Sequence, residues 1–133
     1  MLTWDDSLCL GVSNIDRQHM ELFSNINNLL ASMEKGNAEN SINDMMDFLE
    51  RYVIFHFNEE ETLQKKSNYP FIKEHLQQHA DFKKTFIELK SRIQTSGVNT
   101  VLALDVQTYM CNWWINHIRN YDMELGKYLN SLK

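Results

Sequence analysis

Four stretches of this chain place apolar residues at helical spacing. The first follows Asn14 and Asp16, either of which can cap a helix. Its apolar line is His19, Phe23, Ile26, Leu30, Met33, and Lys35-Gly36-Asn37 ends it. The second begins near Ser41 and runs Ile42, Met46, Leu49, Val53, His56, Glu60, Leu63. Its steps alternate four and three, a bundle seam held for roughly three heptads. Lys66-Ser67-Asn68 closes it, with Asn tolerating a left-handed cap. Tyr69-Pro70 opens the third, which runs Ile72, His75, His79, Phe82, Phe86, Leu89, Ile93 and stops at Thr95-Ser96-Gly97. The fourth starts near Asn99 and runs Leu102, Val106, Met110, Trp113, His117. Short connections between helices of this length make neighbours antiparallel. The pattern predicts an all-α, up-down-up-down antiparallel four-helix bundle, with a short N-terminal arm through Trp4 and a short C-terminal helix ending near Leu132.

Composition agrees. In 133 residues there are one Pro and four Gly against seven Met and 43% hydrophobic residues. This implies one domain, residues 1–133, with few breaks and enough chain to bury a core. The net charge of −5 is spread along the chain, so no basic stripe marks nucleic acid or an anionic membrane as a partner. No apolar run approaches the roughly 18 residues of a membrane span. The start, MLTWDDSLCLGV, has neither the cationic region nor the apolar run of a signal peptide, which points to a cytoplasmic protein. Cys9 and Cys111 are then expected to be free, buried and inert thiols.

The chemistry lies on the inward lines. All five histidines fall there, and so does Glu60. His56 with Glu60, and His75 with His79, are four apart, about 40° on a helix. One histidine in a helix seam is more often a hydrogen-bonded core residue than a ligand. Five imidazoles and a carboxylate left unpaired in one core would be costly. A metal takes neutral imidazoles and carboxylates directly. Five nitrogens and two carboxylates exceed a tetrahedral zinc site, which argues for two ions bridged by Glu60 and Asp122. No cysteine lies on these lines, so soft-metal sites lose weight. Iron suits the set, manganese less well. His117 and Asp122 are five apart, about 140° on a regular helix, so a π-bulge is expected between them.

The chain resembles the hemerythrins, in particular the single-domain bacterial type called bacteriohemerythrins. The resemblance covers nearly the whole chain. It is carried by Trp4 and Gly11 leading to IDRQH (15–19), then HFNEE (56–60), YPFIKEHLQQHADF (69–82) and WWINHIRNYD (113–122). It implies a di-iron centre in which His75, His79 and His117 hold one iron and His19 and His56 the other. Glu60 and Asp122 bridge them, with an oxo or hydroxo group between. Only the second iron then has an open position, where the family takes up and releases O2. Storage, delivery to an oxygen-using enzyme, or sensing follow as roles. Azide, nitric oxide and peroxide are alternative ligands, and a redox enzyme turning over peroxide or nitric oxide is the competing reading. Oxidation sites of the ferritin-like kind use Glu-x-x-His pairs and four carboxylates. This chain has no such pair, which favours a binding protein over an oxygenase. By the same resemblance Leu22, Phe57, Trp113 and Ile118 line the O2 pocket. Trp114 stands where the family commonly has leucine and is expected to fill or gate that pocket. Gln64 stands where methionine is usual and is expected to change hydrogen bonding around the ligands.

Overall fold

The structure is a computed structural model. It describes residues 1–36 and 39–133, with the side chains of 39 and 40 left aside. Four helices form the bundle: α1 (Ser13–Glu34), α2 (Glu39–Lys66), α3 (Ile72–Ser96) and α4 (Thr100–His117). A π-turn (Ile118–Asp122) leads from α4 into α5 (Met123–Ser131). Ile118 and Met123 both keep right-handed helical dihedrals. The expected C-terminal helix is therefore the continuation of α4 in one rod. α1 packs on α2, α2 on α3, α3 on α4 and α4 back on α1, which closes the ring.

The chain breaks fall where the residues permit them. Asn68 takes φ +54° after α2, and Gly97 takes φ +71° after α3. The Asn99 side chain accepts from Leu102 N–H at 2.8 Å and starts α4. Gly36 follows α1 with φ +70°, while the expected stop at Asn37 lies outside the described residues. α2 begins at Glu39, two residues before the expected Ser41.

The start of α1 differs from expectation. Its cap is Val12, which makes no side-chain cap bond, and Asn14 lies within the first turn, where it accepts from Arg17. Asp16 turns backward instead. Its carboxylate accepts from the N–H groups of Leu10 (2.8 Å) and Gly11 (3.1 Å). Those donors belong to an arm folded onto the core and need an acceptor more than the helix end does.

That arm runs alongside α1, from Asn27 back to Asp16. Leu2, Leu8 and Leu10 are buried, and Leu2 exchanges two hydrogen bonds with the Asn27 amide (2.9 and 2.8 Å). Trp4 sets its ring edge-on to Phe23 and 6.4 Å from His19. Asn130 donates to the Leu10 carbonyl at 2.9 Å. A β-carbon on Gly126 would sit 2.9 Å from the Leu10 β-carbon, so glycine is what lets α5 pass the arm.

The inward lines hold with local corrections. Leu63 and Ile72 are only half-buried. On α4 the fully buried ring is Trp114, and Trp113 is half-buried. Here the line steps by fours through Leu102, Val106, Met110 and Trp114, drifting about 40° per step, and Trp113 rotates out against Phe82 at 4.5 Å. The cysteines are free, but Cys9 is exposed and Cys111 half-buried, not buried as expected. Cys9 lies between the inward Leu8 and Leu10, and Cys111 is one position off the line. What desolvation Cys9 has, helped by Asp16, Asp6 and Asp5, pushes its pKa up, so the thiol form prevails. Among the described residues no helix is long and apolar enough to cross a membrane.

Candidate metal centre

Each wall of the bundle supplies part of one cluster. α1 gives His19, α2 His56 and Glu60, α3 His75 and His79, and the α4–α5 rod His117 and Asp122. All seven side chains are 1% exposed or less. The π-turn does what the five-residue spacing requires. Met123 N–H bonds to the Ile118 carbonyl, five residues back. The widened turn brings His117 Nε2 to 3.1 Å from Asp122 Oδ1.

The two carboxylates divide their oxygens between two sets of histidines. Glu60 Oε1 faces His75 (2.7 Å) and His79 (3.1 Å), while Oε2 faces His56 (3.4 Å) and His19 (3.9 Å). Asp122 Oδ1 faces His75 (3.0 Å) and His117 (3.1 Å), while Oδ2 faces His19 (3.0 Å). Two groups result, each with its donor atoms within 4.8 Å of one another. One is Glu60, His75, His79, His117 and Asp122; the other is His19, His56, Glu60 and Asp122. Close as they are, most of these atoms miss hydrogen-bond geometry: Nε2 of His19, His56, His75 and His117, Oε2 of Glu60 and both oxygens of Asp122 have no partner. Donor atoms that converge without pairing suit a pair of cations lying between them.

Metal-free, the cluster polarises itself. Burial disfavours the charged form of His75, yet Asp122 and Glu60 outweigh it and hold its pKa at about 10. His79 and His19 are raised in the same way against burial, by Glu60 with Glu61 and by Asp122 with Glu60. Burial wins at His56, pushed down to about 3, and at His117, also lowered. Burial and Asp122 push Glu60 up, but His75, His79 and His56 bring it down to about 2. Asp122 is driven well below its ordinary range against burial, chiefly by His117, His19 and His75.

A second ring of residues holds the imidazoles. Gln18 Oε1 of α1 lies 2.7 Å from His56 Nδ1 of α2. Glu61 Oε2 of α2 lies 2.8 Å from His79 Nδ1 of α3. Gln78 Oε1 of α3 lies 3.3 Å from His117 Nδ1 of α4. α1, α2 and α3 thus each brace a histidine of the next helix and leave that ring's Nε2 free to face the centre. The motif reading missed these three. Their signal was present: each is a polar residue one position from His19, Glu60 or His79, turned about 100° toward the adjacent helix. Aromatic faces complete the bracing. Phe57 stacks on His79 at 3.8 Å and 6°, and Trp113 stacks on His117 at 4.4 Å and 13°.

A model of the hemerythrin HHE cation binding domain matches residues 10–129. The chain belongs to the hemerythrin family. It is 31% identical over 125 residues to a bacteriohemerythrin of Stenotrophomonas maltophilia, covering 92% of this chain and 77% of that one. To a hemerythrin-like protein of Naegleria gruberi it is 31% identical over 121 residues, covering 91% and 87%. A crystal structure of wild-type hemerythrin superposes with a TM-score of 0.87 at 26% identity, covering 97% of this chain and 98% of that one.

Against the hemerythrin pattern, the residues expected at the pocket separate. Leu22, Phe57, Trp114 and Ile118 are fully buried. Trp114 lies 6.1 Å from His56 and 6.4 Å from His19, against the four-donor group. Trp113 instead shields the outer face of His117 and floors a surface groove with Tyr109, Thr85 and Leu89. Gln64 is fully buried, but its amide pairs with no protein atom, so the expected hydrogen bonding around the ligands does not form. Gln64→Met should therefore stabilise the chain by about 1–3 kcal/mol, read from urea denaturation; a lower midpoint would show that the amide has a partner.

Proposed function

We propose that this chain is a non-heme di-iron protein, one hemerythrin-like domain, that binds and releases O2. Its seven-residue set, His19, His56, Glu60, His75, His79, His117 and Asp122, holds the two irons. Reduced iron at this pair supplies the affinity and the electrons for reversible O2 uptake. The observation that carries the reading is the division of donors: five residues in one group, four in the other, with both carboxylates common to the two. The His19–His56 group has one donor fewer, so these residues would leave room for a ligand on that side. Leu22, Phe57, Trp114 and Ile118 wall that side with apolar surface and keep water and protons away. Walls so fully closed to solvent suit a diatomic better than an organic substrate, which favours a binding protein over an enzyme. Free thiols at Cys9 and Cys111 fit a reducing cytoplasm. Storage there, or delivery to an oxygen-using enzyme, is the role this reading gives the protein.

Metal and azide stoichiometry test the reading. Iron-loaded protein should hold two irons per chain and bind one azide per iron pair. A single ion per chain, or a large oligomer holding many irons per chain, would overturn it. Trp114 adds a second test. Trp114→Leu should admit azide about tenfold faster, the equivalent of ~1.4 kcal/mol off the entry barrier. The lost packing should cost about 1–3 kcal/mol of stability. Unchanged stopped-flow rates in this variant would remove Trp114 from the entry route.

A further inference from the structure

We propose that Glu61 is a positioning residue that, through His79, tunes the reduction potential and the retention of the iron held by the five-donor group. The proposal rests on the di-iron reading. Of the three acceptors that brace a histidine across the bundle, Gln18 and Gln78 are neutral amides and Glu61 is an acid. Among the described residues His19 and His75 have no hydrogen-bond partner at Nδ1. One imidazole among the five is therefore braced by a formal negative charge.

The geometry gives that charge a fixed line of action. Glu61 Oε2 sits 2.8 Å from His79 Nδ1, and its side chain is 17% exposed. The Phe57 ring, nearly parallel at 3.8 Å, fixes the plane of the imidazole. With the plane and Nδ1 both fixed, Nε2 points at the centre, 3.1 Å from Glu60 Oε1. A carboxylate accepting from Nδ1–H raises the electron donation of Nε2 and orients the ring. Stronger donation favours the higher charge on a bound ion. Lys65 and Lys83 lie near enough to act on Glu61 electrostatically and favour its charged form. Gln at this position keeps an acceptor but loses the charge; Leu loses both.

The test uses iron-loaded protein with Glu61→Gln, Glu61→Leu and the native side chain. Midpoint potential and the rate of iron loss to a chelator are measured at neutral pH. Both variants should show a higher midpoint potential than the native protein. Glu61→Leu should lose iron about 10–100-fold faster, and Glu61→Gln should stay close to the native rate. An effect on folding alone would lower Tm without moving the potential, and that result overturns the proposal. So do native potentials in both variants. Failure of the native protein to take up redox-active iron would overturn the di-iron reading and this inference together.

Discussion

Glu60→Ala is expected to reduce bound iron from two ions per chain to one or none. Glu60 is the one side chain whose two oxygens reach four histidines, His75, His79, His56 and His19. Its removal takes a ligand from both groups at once and leaves His56 and His79 with no carboxylate facing their Nε2 atoms. A lost histidine should do less: without His56 the five-donor group remains complete. The metal contribution to stability should disappear with the iron. An ion at a thousandfold above its Kd adds about 4 kcal/mol, roughly 10–20 °C in Tm for a chain of this size. Native protein should show that rise on iron loading, and Glu60→Ala should show little of it. The exposed neighbour Glu59 supplies the control, since Glu59→Ala should keep two irons. Full iron content in Glu60→Ala, by metal analysis after desalting, would show that Glu60 is not a bridge.

Iron binding should release protons at neutral pH, and acid should release iron. His75, held at about 10 by Asp122 and Glu60 against burial, is protonated in the empty chain at pH 7.5. His79 and His19 are raised too. A metal needs the His75 nitrogen without its proton, so uptake displaces it, and affinity grows as pH climbs toward 10. His56 and His117 are already neutral and release none. The empty chain has its own optimum. The stability contributed by His75 is full below about 6.5, its unfolded value, and fades as pH rises through about 10. That of Glu60 is full above 4.5 and fades as pH falls toward about 2. His56 contributes fully above 6.5 and loses that as pH falls toward about 3. Empty protein is therefore most stable near neutrality, and iron should be lost by about pH 4, well below ~6.5. An indicator dye in weak buffer at pH 7.5 reads the protons. No release beyond that of the iron salt alone would contradict the account.

Much of this was legible in the residues. Seam spacing shows four helices because burial on one face imposes the period. The clustering of five histidines and two acids follows once those faces meet. The five-residue gap from His117 to Asp122 announces its π-turn, since no regular helix would bring both inward. Other features depend on three-dimensional detail. Asp16 looks like a cap from its position, but the buried N–H groups of the arm claim it. Trp113 and Trp114 cannot be separated by a three-or-four rule, because accumulated drift along α4 decides which one turns in. Gln18, Glu61 and Gln78 act across helix interfaces, where sequence separation gives no distance. Gln64 illustrates the converse: its place one turn past Glu60 suggests a partner that the fold does not provide.

Reversible O2 binding is most directly tested by one anaerobic cycle. Iron-loaded, chemically reduced protein is exposed to O2, its visible spectrum recorded, and the O2 then removed. A charge-transfer band that appears with O2 and vanishes on deoxygenation, restoring the starting spectrum, is the predicted result. A band that decays at once to a stable ferric spectrum, with turnover of peroxide or nitric oxide when reductant is supplied, would contradict the account and make this centre a redox enzyme.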